Sequence, residues 1–271
     1  MKSSGQQSKK HPVLEYIFKK YFNPKKPQKI ISFHLSDISD GYRACGKREP
    51  ASISNTILDL CRQDRGIDSR VPKSISKLGY DLRKKTGIAA KGQKFAGEFV
   101  FVGKGKVIQS WLIWPKKIKE IEIDSTKVPG IVLNFIRPDE GGLFSIIDYT
   151  NTLSFALHNG KYTVLRIQNP MKWQPNEIDG FYATEINGRL TLYPIEAKSK
   201  VTKDEINLDQ LKGEFITLHK KFHAPDRDIQ MIAAKMIDNG IDIALFPKDI
   251  LPERPEKCIR IKFKPPIKNW L

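Results

Sequence analysis

Cysteine is scarce in this chain. Three residues, Cys45, Cys61 and Cys258, are scattered through 271 positions without CxxC spacing. That pattern excludes a disulfide framework and a cysteine-built zinc site, and it fits a reducing cytoplasm. Long apolar runs are missing as well. No stretch has the length of a membrane span or the apolar core of a secretory signal, which predicts a protein neither embedded in a membrane nor exported. Acids are outnumbered, with 30 Asp and Glu against 47 Lys and Arg and a net charge of +17.

The basic excess is uneven. Residues 1–115 carry 23 Lys/Arg and 9 acids, a net +14, whereas residues 116–271 carry 24 and 21, a net +3. This asymmetry predicts two modules, one binding a polyanion and one nearly neutral with a different task. Nucleic acid is the expected polyanion. An apolar fraction of 39% with 14 Phe is enough to build cores in both.

In the basic module, residues 1–10 read as a polar tail. Helical spacing predicts a helix over 12–22, through Leu14, Ile17, Phe18 and Phe22, and another begun by Ser36 and stopped near Gly46. A third runs from Ala51 to Gln63, with Ile53, Ile57 and Cys61 inward. Ser52, Asn55, Thr56 and Arg62 then face outward, and these residue types suit base and phosphate recognition. A fourth helix is predicted over Pro72–Lys85. Two strands, Glu98–Val102 and Lys106–Leu112, are expected to flank Gly103-Lys104-Gly105 as a hairpin. Helices followed by a lysine-tipped hairpin look like a winged helix, with Lys91, Lys94, Lys104 and Lys106 on phosphates. Pro115–Pro129 reads as the linker.

The most informative segment is Glu177–Lys198. Two β-rich runs are split by Asn187-Gly188, the strongest short-range signal for a two-residue type I′ turn. That turn places Asp179 directly opposite Glu196, with Cβ atoms roughly 4.5–5.5 Å apart. Strand alternation puts Lys198 on the same face as Glu196, and Glu177 on the face of Asp179. Opposed acids repel unless a cation lies between them. In so charged a chain an acid-x-basic triplet arises about five times by chance, so Glu196-Ala-Lys198 gains meaning from its place at the end of an apolar strand and from Asp179. Two carboxylates can hold Mg²⁺, and a lysine can orient water or stabilise a phosphoryl transition state.

Asp179, with Glu196-Ala197-Lys198 closing the next strand, resembles the active site of the PD-(D/E)xK nucleases, which include most type II restriction endonucleases. The likeness covers roughly residues 130–250. Around the hairpin the patterning predicts a helix at about 139–158, a strand over 161–167, a helix at about 204–222 and strands at about 228–237 and 241–246. That order is similar to the family's αβββαβ core, and the expected fold is α/β (α+β), with a nuclease domain over 116–271 behind the winged-helix-like domain over 1–115. Ile178 stands where the family motif has proline.

The resemblance implies Asp179, Glu196 and the Ala197 carbonyl as ligands of Mg²⁺, and Lys198 as the residue that orients or deprotonates water. Glu140 on the first helix is a candidate additional acid, and Gln210 on the helix after Lys198 a candidate supporting residue. It further implies a homodimer on double-stranded DNA, in a prokaryotic cytoplasm and associated with the nucleoid. A modification-dependent or repair nuclease, and a DNA-binding regulator with an inert nuclease-like domain, remain as alternatives. His219 and His223 have i,i+4 spacing, but Lys220 rather than glutamate follows the first, so they read as surface histidines on a basic helix end. His158-Asn159-Gly160 reads as a helix stop.

Overall fold

Asn187 and Gly188 both adopt positive φ, 51° and 76°, and the strands on either side pair from Ile186 with Arg189 back to Gly180 with Ile195. The type I′ hairpin therefore forms in the expected register. A computed structural model describes residues 10–61, 70–85, 89, 92–108, 111–168, 171–173, 176–200 and 205–267, and only the backbone at 54, 55, 58, 171–173 and 176. The chain divides into two compact units, Met1–Ser110 and Trp111–Leu271. Their seam lies between 110 and 111 because Trp111 bridges Asn207 and the Leu112 amide donates to Ile206.

The first unit runs α1 (His11–Tyr21), β1 (Ile30–His34), α2 (Leu35–Ala44), α3 (Ile53–Leu60), α4 (Lys73–Ser76), β2 (Tyr80–Lys84) and β3 (Phe95–Phe101). The strands form an antiparallel sheet in the order β1-β3-β2. Val13, Leu14, Ile17 and Phe18 of α1 pack with Phe33, Leu82 and Phe99 into one core. Asp37 starts α2 by accepting from the His34 amide at 2.7 Å, and it also receives Lys20 Nζ and Tyr21 Oη.

Two expectations for this unit fail. The helix over Pro72–Lys85 is a single turn, because Gly79 at φ 88° ends it and Tyr80–Lys84 joins the sheet instead. The hairpin is β2–β3 and not Glu98–Val102 with Lys106–Leu112. Gly103 and Gly105 do make a turn, but the chain beyond it forms no strand over 106–108, and the Ile108 amide donates to buried Asp81 at 2.7 Å. Sheet pairing outweighed the helical spacing of Ile75, Leu78 and Leu82, as tertiary contacts commonly do.

The second unit holds an eight-stranded mixed sheet. Its elements are β4 (Lys119–Asp124), α5 (Gly130–Phe135), α6 (Glu140–Tyr149), α7 (Thr152–His158), β5 (Leu165–Gln168), β6 (Met171–Trp173), β7 (Asn176–Ile178), β8 (Gly180–Ile186) and β9 (Arg189–Lys198). Then follow α8 (Leu208–Phe222), β10 (Arg227–Ile229), β11 (Ile232–Ile237), β12 (Gly240–Leu245) and β13 (Lys257–Lys264). The order is β4-β13-β12-β11-β9-β8-β5, with β10 also beside β9 and β6–β7 a separate ribbon. β8 runs antiparallel to both β5 and β9, whereas β11 is parallel to β9. Pro115–Pro129 contains the edge strand β4, because Ile121 and Ile123 alternate with charged residues and pair alongside β13.

Helices cover both faces of this sheet. Leu143, Ile146 and Leu153 of α6 and α7 pack on Tyr193, Ile195 and Ala197, while Leu208, Leu211 and Phe215 of α8 pack on Leu192 and Ala233. The expected single helix over 139–158 is two, broken at Asn151 with φ 51°. Each fully buried Ile or Leu contributes about 1.5–3 kcal/mol. Alternation along β9 thus turns Tyr193, Ile195 and Ala197 to one layer, and Glu196 to the other, beneath α8.

The turn that sets this register is testable. A Cβ at Gly188 meets no neighbour within 4 Å, so its cost is conformational alone. Gly188→Val is expected to lower stability by about 1–2 kcal/mol, read from the urea midpoint; an unchanged midpoint would contradict the turn.

Candidate active site

Glu196 is fully buried at the end of β9. Its two oxygens have separate partners. Lys198 Nζ donates to one, and Gln210 Nε2, one turn into α8, donates to the other at 2.7 Å. Lys198 Nζ also donates to the Ala197 carbonyl at 3.0 Å. Asp179 sits in a bend between β7 and β8, one residue beyond the last paired position of β8. Its Oδ2 accepts from the Ala197 amide at 2.9 Å, so the side chain continues the ladder where the backbone leaves it.

The hairpin and α8 together bring Asp179, Glu196, Lys198 and Gln210 to one place. The N-cap of α8 is Asn207, whose Oδ1 accepts from the Asp209 and Gln210 amides and so sets the first turn that aims Gln210. Glu140 opens α6 behind the cap Asp139, and its charge is felt at Lys198. Glu177 is exposed on the β6–β7 ribbon, away from the paired register of β8 and β9.

One residue went unread in the sequence. Glu214 of α8 is fully buried, and neither carboxyl oxygen has a hydrogen-bond partner among the described residues. Its position three residues after Leu211 and four after Gln210 is the signal that could have found it, since an acid there falls on the inward stripe. An orphaned buried carboxyl costs about 1–3 kcal/mol or more unless neutralised or met by a cation.

The electrostatics follow from this crowding. Burial raises the Glu196 carboxyl from 4.5 to about 7, against the pull of Lys198 and with a further push from Asp179. Burial and the Glu196 charge raise Glu214 well above the ordinary carboxyl range. Burial alone would lower the Lys198 ammonium, but the Glu196 charge and hydrogen bond outweigh it and raise it. Lys198 is therefore held as a cation, better suited to attract a phosphate than to remove a proton. Asp179, Glu196 and the Ala197 carbonyl make an oxygen-rich set of the kind Mg²⁺ favours, with Glu214 a further buried carboxyl lacking a donor, so these residues fit that ion.

The nucleic-acid candidates fare unevenly. Lys94, Lys104 and Lys106 are exposed, as is Ser52. Lys94 ends the connection between β2 and β3, while Lys104 and Lys106 belong to the Gly103–Gly105 turn region. Thr56 is buried, contrary to its expected outward position, because it follows Ile53 by three and precedes Leu60 by four on the inner stripe of α3. Arg62 and Lys91 lie outside the described residues, and so does the side chain of Asn55.

Raised carboxyl pKa values confer stability that is full below the unfolded value near 4.5 and is lost as pH rises. For Glu196 the loss spans about 4.5 to 7, and for Glu214 it extends upward from 4.5. In EDTA, Glu214→Gln is expected to gain about a few degrees in melting temperature over the wild type at pH 8 relative to pH 4.5. Thermal melts at both pH values check this, and an equal difference at the two would refute it.

Comparison of the chain with protein families, with characterised proteins and with solved structures found no match, so its function must be read from this geometry.

Proposed function

We propose that this chain is a Mg²⁺-dependent, sequence-specific endonuclease of double-stranded DNA, of the type II restriction class. The observation that carries the proposal is the convergence of Asp179, buried Glu196, Lys198 and Gln210 at the end of β9, with the unpartnered carboxyl of Glu214 beside them. The order α6–α7, β5, β8, β9, α8, β11, with β11 parallel to β9, supports the reading, because it is similar to the αβββαβ core of the PD-(D/E)xK nucleases. In the basic unit α1, β1, α2, α3 and the single-turn α4 precede the β2–β3 hairpin, whose connection ends in Lys94, an order of helices then hairpin similar to a winged helix. Among the described residues no helix is long and apolar enough to cross a membrane.

Asp179 and Glu196 would hold the ion, joined by the Ala197 carbonyl once Lys198 swings from it to the substrate. When bound, Mg²⁺ supplies Lewis acidity toward a phosphoryl oxygen and toward water. Gln210 fixes the rotamer of Glu196 through its 2.7 Å hydrogen bond. Glu214 is buried within electrostatic reach of Glu196, and its raised pKa means that a bound cation would favour its ionised form. Lys198, kept protonated, would donate to a non-bridging phosphoryl oxygen and align the attacking water. In the balanced step, water oxygen bonds to phosphorus as the bond from phosphorus to the 3′ oxygen breaks. The products are a 5′-phosphate and a 3′-hydroxyl, and the surplus proton leaves to solvent. Cutting both strands of a symmetric site would use a homodimer.

Two experiments test the proposal. Incubated with plasmid and magnesium, the wild type is expected to yield discrete fragments, while Asp179→Asn and Lys198→Ala lose at least about 100-fold in rate. A Lys198→Ala protein cutting at the wild-type rate would end the mechanism. Replacing Lys94, Lys104 and Lys106 together by glutamate is expected to weaken duplex binding about tenfold or more and to flatten its salt dependence by about 2–3 in log–log slope. Unchanged affinity and slope in a binding titration would remove these lysines from the interface.

A further inference from the structure

At the far end of α8 from Gln210 lies a second group of ligand-type side chains, which the nuclease chemistry does not use. His219 lies on the last turn of α8, His223 caps its C-terminus four residues on, and Asp249 follows β12. One donor atom from each lies within 4.8 Å of the other two. The imidazole rings stack with centroids 4.2 Å apart, and His223 Nδ1 is 3.9 Å from Asp249 Oδ1. We propose that His219, His223 and Asp249 form a binding site for a zinc-class transition-metal ion, clipping the C-terminal end of α8 to the chain after β12.

Three features favour a metal over a chance cluster. Asp249 is positioned by backbone: its amide donates to the Ile229 carbonyl at 2.8 Å and its Oδ1 accepts from the Ile229 amide at 3.0 Å. It adopts φ 53° in doing so, a conformation that aspartate tolerates better than most residues. The carboxylate is thus anchored to β10 before any ion arrives. His219 is likewise steadied, packed against the Phe215 ring at 5.3 Å. His223 is the C-cap of α8, donating its amide to the His219 carbonyl at 3.1 Å, with a side chain half exposed and able to rotate. Two fixed ligands and one adjustable ligand are what an ion needs to close its own geometry.

The ligand types choose the metal. Two imidazole nitrogens and one carboxylate suit Zn²⁺, Co²⁺ or Ni²⁺, whereas Mg²⁺ favours oxygen ligands and water. Zinc bonds of about 2.0–2.2 Å set tetrahedral ligand atoms roughly 3.3 Å apart. Rotation of the half-exposed His223 side chain would draw donor atoms that already lie within 4.8 Å of one another toward this spacing, leaving the fourth position to water. A cation here also lies against the carbonyl end of a 15-residue helix, where the dipole favours positive charge. Arg189 feels the Asp249 charge but is already bonded to Asp228, so it does not fill the site. The reading of His219 and His223 as plain surface histidines omitted Asp249, which is 26 residues beyond His223 in sequence.

The test needs no DNA and stands apart from the nuclease proposal. Untagged full-length protein is dialysed against zinc chloride in millimolar magnesium, and the bound zinc is counted. One saturable zinc per chain is expected, weakened at least about tenfold in His219→Ala and in His223→Ala, and weakened also in Asp249→Asn. Cobalt should give the visible absorption of a four- or five-coordinate nitrogen and oxygen site. Zinc should raise the melting temperature of the wild type and not of His223→Ala, whose fold circular dichroism verifies. No saturable zinc in the wild type, or wild-type affinity in the His219→Ala/His223→Ala double variant, would overturn the site. A cobalt spectrum with thiolate charge transfer would do the same.

Discussion

A carboxylate taken wholly out of water governs the second unit. Glu196 is buried beneath α8, where an isolated charge would cost several kcal/mol even after relaxation. The fold meets that demand with an ammonium from the same strand and an amide from the next helix, while Asp179, one residue past the hairpin register, adds repulsion and satisfies itself on the Ala197 amide. Each of these neighbours depends on a different element. Lys198 requires the pleat of β9, Gln210 the Asn207 cap, and Asp179 the bend between β7 and β8. Without the pleat of β9 or the Asn207 cap, Glu196 would keep an uncompensated charge.

Glu214 carries no such compensation among the described residues. A second acid within electrostatic reach of Glu196, with neither oxygen bonded, is poor design for stability alone. Removing it would benefit the metal-free fold at neutral pH. Its burial therefore costs stability as pH rises, an arrangement that functional sites tolerate more often than structural cores do. The same logic separates the two ends of α8. The oxygen-rich end suits a hard cation, and the imidazole end suits a softer one.

The legible parts of the fold were those governed by local chemistry. Asn187-Gly188 dictated a turn whose two positive φ angles few other dipeptides accept, and alternation on either side then carried Glu196 to the face under α8. The stripe Leu208, Leu211, Phe215 and Leu218 marked a helix for the same reason. Where local signals competed, the reading slipped. Ile75, Leu78 and Leu82 have helical spacing, yet β3 recruited Tyr80–Lys84 as its partner. Thr56 looked like a surface residue by type, but its place on the stripe of α3 buried it. The strands β4 and β13 were missed although Ile121 and Ile123, and Ile259, Ile261 and Phe263, alternate plainly among charges.

By itself the amino-acid sequence determined the hairpin register, which carries Asp179 to the end of the ladder near Glu196, and the division into a strongly basic half and a nearly neutral one. These rest on backbone sterics, a period of two and the count of charges, none of which needs a distant neighbour. Only the tertiary structure decided that Glu214 joins the acids, that Gln210 bonds Glu196, and that Asp249 faces His219 and His223. Burial and convergence belong to the packing of α8 on the sheet, and contacts between residues far apart in the chain have no local signature.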